Sequence, residues 1–299
     1  MDIKLIRNEG LYNAAMALCP ETKNGLTPAI LTPNPFYQVY AVASLSVGAE
    51  PVYINATAET GHLPDYDALD AGLLDRTAVV YICSPANPQG ATATLEYWSN
   101  LLRLADKHDF MIFADECYAE IYRGQPPVGI LEAVRITGAD PERVVAFHSL
   151  SKRSNLAGLR SGFAVSGPKN IARMKQLRTY AGAPLPLPLQ MAAARAWSEE
   201  EHVEENRTLY AAKFEAAKAI LPGMDIPDAG FFLWLPVDDG EQATLKLWAG
   251  TGVKVLPGAY LARDTPAGNP GTSFIRAALV GPLDETIDGL TRLRDCLYG

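Results

Sequence analysis

The chain has little cysteine, no long apolar run and no block of positive charge. Its four cysteines, Cys19, Cys83, Cys117 and Cys296, stand far apart without a C-x-x-C pair. Neither a disulfide framework nor a metal site is therefore expected, and free packed thiols are the reading. No apolar run approaches the ~18 residues that suggest a membrane span. The opening MDIKLIRNEG lacks the basic-then-apolar order of a signal peptide. The expected compartment is the cytoplasm, with no membrane partner. A net charge of -8 with no Lys/Arg cluster leaves no basic face for a polyanion, which argues against nucleic acid. Small molecules become the expected partners. The chain also has no internal repeat and no low-complexity segment.

What is present fits a globular protein: 299 residues, 48% hydrophobic and 20% charged, enough for one large domain or two unequal ones. The first two-thirds alternates short β-branched runs with longer amphipathic ones. PAILT precedes FYQVYAVASLSVG; TAVVYIC precedes LEYWSNLLRLADKH; FMIFAD, RVVAFHS and SGFAVSG follow. Strand then helix, repeated, predicts parallel pairing with crossover helices. Runs such as VVYI are apolar at consecutive positions, as strands covered on both faces should be. The expected fold class is α/β, a mostly parallel doubly wound sheet, with a smaller C-terminal α+β domain. APLPLPLQ near residue 184 marks a change of texture. A long acidic-to-basic helix follows, stopped by Pro222-Gly223, and then the strand-like FFLWLPV, VKVLPG and SFIRAAL. The expected division is 1–205 for the large domain and 206–299 for the small one.

In open α/β sheets the ligand lies beyond the carboxyl ends of the strands. Three polar clusters sit there: SPANPQG, DECYAEIY and HSLSKRSNLAGLRSG. Asp115 directly follows an apolar strand. An ionised carboxylate there either caps the next turn or needs a cation, for which a protonated ring nitrogen would serve. Asn87, between Pro85 and Pro88 and before Gly90, is either turn chemistry or a placed polar group. Ser149-Leu150-Ser151-Lys152 fits S-x-x-K, so either Ser149 or Lys152 could be the nucleophile. Lys152, nearby serines and Arg160 equip one strand exit to hold a phosphate. His148 reads as a core histidine, and Cys83 and Cys117 as packing.

Together these motifs, with PNPFYQVY, DAGFFLWLP and VKVLPGAYL, resemble the fold-type I aminotransferases of class I/II that use pyridoxal 5'-phosphate. The resemblance runs from about residue 9 through most of the chain. It implies that Lys152 forms the Schiff base with the cofactor aldehyde and then moves the Cα proton. It implies that Ser149 and Arg160 bind the phosphate and that Asp115 pairs with the pyridinium nitrogen. Asn87 and Tyr118 would hydrogen-bond the ring hydroxyl, Tyr37 would stack on the ring, and Arg276 would grip the substrate α-carboxylate, with Asn87 beside the substrate too. Phe36, next to Tyr37, leaves the stacking partner open, since either aromatic could instead pack under the sheet edge.

The family pattern G-[ST]-x-E-[AG]-L is met at Ile6-Arg7-Asn8-Glu9-Gly10-Leu11 only by its last three residues. The expectation is that the N-terminal arm is missing and that cofactor retention is weaker than in full-length relatives. Within the class the motifs look most like the succinyldiaminopimelate aminotransferases of lysine biosynthesis, which exchange an amino group with glutamate. Aspartate, aromatic or methionine-type enzymes are the alternatives, as is a truncated cofactor-binding protein with little activity. A homodimer with its active site at the subunit interface is implied. A serine acyl-transfer enzyme would need S-x-N or Y-x-N and K-T-G after residue 152, and none occurs.

Overall fold

A computed structural model describes residues 3–5 and 7–299, with side chains from Glu9 onward. Ile6 and the side chains of Arg7 and Asn8, named in the N-terminal pattern, lie outside the described residues. The described residues form the strands β1 (Ile3–Leu5), β2 (Ala29–Asn34), β3 (Glu50–Asn55), β4 (Thr77–Cys83), β5 (Met111–Asp115), β6 (Val144–Ser149), β7 (Gly162–Ser166), β8 (Phe232–Pro236), β9 (Leu256–Pro257) and β10 (Phe274–Ala278). The helices of the first half are α1 (Arg7–Leu18), α2 (Gln38–Ser46), α3 (Ala71–Arg76), α4 (Leu95–His108), α5 (Ile130–Thr137) and α6 (Leu150–Arg153). The second half adds α7 (Pro168–Tyr180), α8 (Leu187–Trp197), α9 (Glu201–Ile220), α10 (Gly240–Thr251) and α11 (Leu283–Leu297).

Seven strands form one sheet in the order β1-β7-β6-β5-β4-β2-β3, and three form a second in the order β8-β10-β9. All seven residues of β4 are buried, as a strand sandwiched between helices requires. On one face Leu11, Ala15 and Tyr40 pack with Tyr81, Phe113 and Phe147. On the other, Trp98, Leu101 and Ala105 of α4 pack against Ile82 and Ile112. Helix α4 starts where Thr94 accepts the Tyr97 amide at 3.1 Å and ends where Asp109 turns left-handed.

The parallel register lines up the strand exits. Cys83 lies opposite Asp115, and Asp115 opposite Phe147, so the polar segments after β4, β5 and β6 leave the sheet at one level. β7 departs from the parallel expectation, running antiparallel to β6. The cause is the connection, which holds only the single turn α6 and a 3-10 turn at Ala157–Leu159. A parallel return usually runs through a full helix laid across the sheet face, and this link contains none.

Helix α9 begins with Glu201 and Glu204, ends with Lys218 and stops before Pro222, as its charge gradient predicts. Its C-terminal half, through Phe214 and Ala217, packs with Leu233, Leu235 and Ile275 of the smaller sheet and Leu290 and Leu293 of α11. Its N-terminal half reaches the segment after α6, where Asn155 donates to Asn206 at 2.8 Å. VKVLPG yields only the two-residue β9. Pro257 closes that ladder, having no N–H to donate.

Candidate active site

Asp115 is the last residue of β5 and is wholly buried. Its carboxylate accepts a 2.8 Å hydrogen bond from the Tyr40 hydroxyl. Tyr40 stacks on Tyr81 with centroids 4.5 Å apart, and meets Tyr37 edge-on at 5.8 Å. Tyr37 directly precedes α2 at its N-cap. Three residues beyond Asp115, buried Tyr118 presents its ring edge-on to Phe231 at 5.4 Å and Phe232 at 5.7 Å.

Those two phenylalanines gather the cations. The Lys152 ammonium stands 4.9 Å from the centre of the Phe231 ring. The Arg276 guanidinium stands 4.5 Å from that of Phe232. Arg276 comes from β10, opposite Trp234 of β8, and donates to the Asn87 side-chain oxygen at 3.1 Å. The smaller sheet thus places its arginine on the loop that follows β4. Burial holds the Arg276 guanidinium below its ordinary range, with the effect of Tyr118 opposing. Its Nε is buried and finds no hydrogen-bond partner among the described residues.

Ser149 ends β6 and caps α6, accepting the Ser151 amide at 3.1 Å and donating to the Ser151 hydroxyl at 3.0 Å. The Leu150 amide donates to the Ser161 carbonyl at 3.1 Å, which ties the Arg160 segment alongside. Arg160 has a left-handed backbone, φ 54°, and its guanidinium donates to the Ala157 carbonyl at 2.8 Å. It is exposed, and of the residues named from sequence it is the one least drawn into the cluster. The buried Ser161 hydroxyl has no partner among the described residues. The turn carrying Lys152 is pinned from behind. Arg153 donates to the Ala196 carbonyl at 2.8 Å and pairs with Glu200, and the Ser154 hydroxyl meets His202 at 2.7 Å.

His148 stacks on Phe163 at 5.0 Å and lies 3.2 Å from Glu116, in keeping with a satisfied histidine. Cys83 and Cys117 are buried in a cluster with Tyr118, Ile121 and Phe231. Tyr40, Phe231, Phe232 and Ser161 were not singled out from sequence. Tyr40 falls three residues after Tyr37, a spacing that by itself reads as core packing. Phe231 and Phe232 looked like ordinary strand residues.

Among the described residues no cluster of His, Cys, Asp or Glu could hold a metal, and no helix is long and apolar enough to cross a membrane. A family model for aminotransferase class I and II matches residues 10–290. The chain belongs to the class I and II aminotransferases. It is an enzyme of a family that generally depends on pyridoxal 5'-phosphate, acts on amino and oxo acids and commonly forms dimers. An LL-diaminopimelate aminotransferase of Dehalococcoides mccartyi (strain ATCC BAA-2266 / KCTC 15142 / 195) is 32% identical over 272 residues, which cover 88% of this chain and 68% of that protein. An aminotransferase structure from Neisseria meningitidis Z2491 superposes with a TM-score of 0.94 at 37% identity, covering 99% of this chain and 76% of that one. The structure of a probable N-succinyldiaminopimelate aminotransferase from Thermus thermophilus superposes with a TM-score of 0.85 at 28% identity, covering 99% and 78%.

The aminotransferase's donor set suits the family's cofactor. A wholly buried carboxylate accommodates a cationic ring nitrogen. The hydroxyls of Ser149, Ser151 and the unpartnered Ser161, with Arg160 on the same junction, are groups of the kind that can donate to a phosphate.

Proposed function

We propose that this chain binds pyridoxal 5'-phosphate and transfers an amino group between glutamate/2-oxoglutarate and a diaminopimelate-class partner, most specifically N-succinyl-L,L-diaminopimelate. The reading is carried by one observation: a fully buried Asp115 carboxylate ends β5 beside the β6 exit that bears Ser149 and Lys152. The names of the Dehalococcoides and Thermus relatives support the substrate class.

When bound, the cofactor supplies an aldehyde that captures amino groups and a cationic ring that accepts the electron pair left at Cα. Asp115 keeps a proton on the ring nitrogen. Lys152 is the amine that holds the cofactor, and once displaced it carries the proton at the substrate Cα, so it and not Ser149 is the covalent residue. Ser149 and Arg160 anchor the phosphate while Lys152 is disengaged. Tyr118 and Asn87 hold the ring hydroxyl, and Tyr37 covers the ring face. Arg276, steadied by Asn87, offers a planar fork to the substrate α-carboxylate, and its orphaned Nε is a donor for the same group. The division into a large unit to residue 205 and a small unit beyond it belongs to this reading. So do a homodimer with the site at its interface and action in the cytoplasm.

The test is a donor panel on cofactor-loaded protein with 2-oxoglutarate as acceptor: N-succinyl-L,L-diaminopimelate, L,L-diaminopimelate, aspartate, phenylalanine and methionine. The succinylated donor is expected to show the highest kcat/KM. A higher value for any other donor overturns the specific assignment, and no glutamate from any of them overturns the activity.

A further inference from the structure

Tyr40 is wholly buried on α2, and its hydroxyl donates to Asp115 at 2.8 Å. It is held from both ends. Its ring lies on Tyr81 with planes 12° apart, and the Tyr81 hydroxyl donates to the Leu11 carbonyl at 2.7 Å. The Tyr81 ring is braced in turn edge-on by Phe113 at 5.3 Å, and Phe113 by Phe147 at 5.9 Å. Phe147 is the residue opposite Asp115 in the sheet. This is a closed circuit of aromatic contacts that begins and ends at the Asp115 rung. Packing alone could be served by phenylalanine at position 40, so the hydroxyl asks for a separate role.

We propose that Tyr40 is a positioning residue whose hydroxyl fixes the Asp115 carboxylate in its ionised, hydrogen-bonded place, thereby leaving the proton on the cofactor ring nitrogen. The inference rests on the cofactor reading given above. A hydrogen bond donated to a carboxylate favours its ionised form. In a ring-nitrogen–carboxylate pair that preference decides which partner holds the shared proton. Removing the donor moves the shared proton towards Asp115, which weakens the ring as an electron acceptor. Stacking on Tyr81 keeps the Tyr40 ring from rotating, so the bond is made before the cofactor arrives.

The test is Tyr40→Phe, read by the nitrogen NMR resonance of cofactor labelled at the ring nitrogen. Wild type is expected to give a protonated-ring signal, and the variant one shifted towards the unprotonated position. kcat should fall about tenfold, as for loss of a hydrogen bond to a charged group, with KM for the amino donor nearly unchanged. Tyr81→Phe removes a buried hydroxyl from the same stack but leaves the Tyr40–Asp115 bond; it should lower Tm to a similar degree without moving the resonance. In an Asp115→Asn background Tyr40→Phe should add no further shift. Should Tyr40→Phe not fold, 4-fluorophenylalanine incorporated at position 40, which fills the space of the hydroxyl without donating, must shift the resonance towards the unprotonated position. A resonance that stays at the wild-type position in Tyr40→Phe, or with 4-fluorophenylalanine, overturns the inference. So does an equal shift in Tyr81→Phe. If wild type binds no cofactor or shows an unprotonated ring, the underlying reading fails instead, which separates the two.

Discussion

Asp115 and Arg276 show how single residues define this site. Each is a charged group drawn into an apolar surrounding, and each has a named partner, Tyr40 for the carboxylate and Asn87 for the guanidinium. Such groups are costly to bury without function or compensation. Arg276→Lys keeps the charge and loses the fork. It is expected to lower kcat/KM for the amino donor roughly 10- to 100-fold, the effect of losing a charge-assisted hydrogen bond, with little change in cofactor affinity. Ser149→Ala removes a helix cap and, on the proposed reading, a phosphate donor together. Cofactor affinity by fluorescence titration should drop about tenfold, while a reducible link to Lys152 is still formed. An unchanged affinity would remove Ser149 from the phosphate site.

At the scale of elements, strands and loops bring together residues that sequence distance keeps apart. The loop after β4 illustrates the constraint. Gly90 has φ +76, and a Cβ there would come within 2.5 Å of Pro227 and 2.7 Å of the Ala229 carbonyl. Gly90→Ala is therefore expected to cost about 1–3 kcal/mol, from backbone strain and overpacking together. It should also raise KM, because Asn87 rides on this loop, and urea unfolding with steady-state kinetics checks both. A variant as stable as wild type would mean that the loop can move away.

The alternation of buried strand and amphipathic helix was legible here because both signals are periodic, and so the exits of β4, β5 and β6 and the polar residues on them could be named. The antiparallel sense of β7 was not legible. It goes with a link that holds no full crossover helix, and SGFAVSG itself carries no mark of direction. The Tyr40–Asp115 bond and the sharing of Phe231 by Lys152 and Tyr118 were hidden for another reason. Both join residues brought close only by the packed sheet, and aromatic residues in a core pattern look alike whether or not they serve a site.

Across the whole molecule the buried phenols and one thiol link stability to alkaline pH. Burial pushes the Cys19 thiol from 9.0 up to about 11 and raises the phenols of Tyr66, Tyr81 and Tyr97. A raised folded-state value gives stability that is fully present below the unfolded value and is lost as pH climbs towards the folded one. For Cys19 that window is pH 9 to about 11. Thermal melts should show Tm falling above pH 9, and Cys19→Ala should flatten the fall in that interval. An identical slope in the variant would exclude the thiol as a contributor.

The central claim, that Lys152 is the covalent residue of a cofactor site built by Asp115, Tyr118 and Ser149, is tested most directly by chemistry on the loaded protein. Borohydride reduction followed by proteolysis and mass mapping is expected to find the cofactor mass on the peptide containing Lys152, and to find none in Lys152→Ala. The cofactor mass on a different lysine, or on no peptide at saturating cofactor, would contradict it.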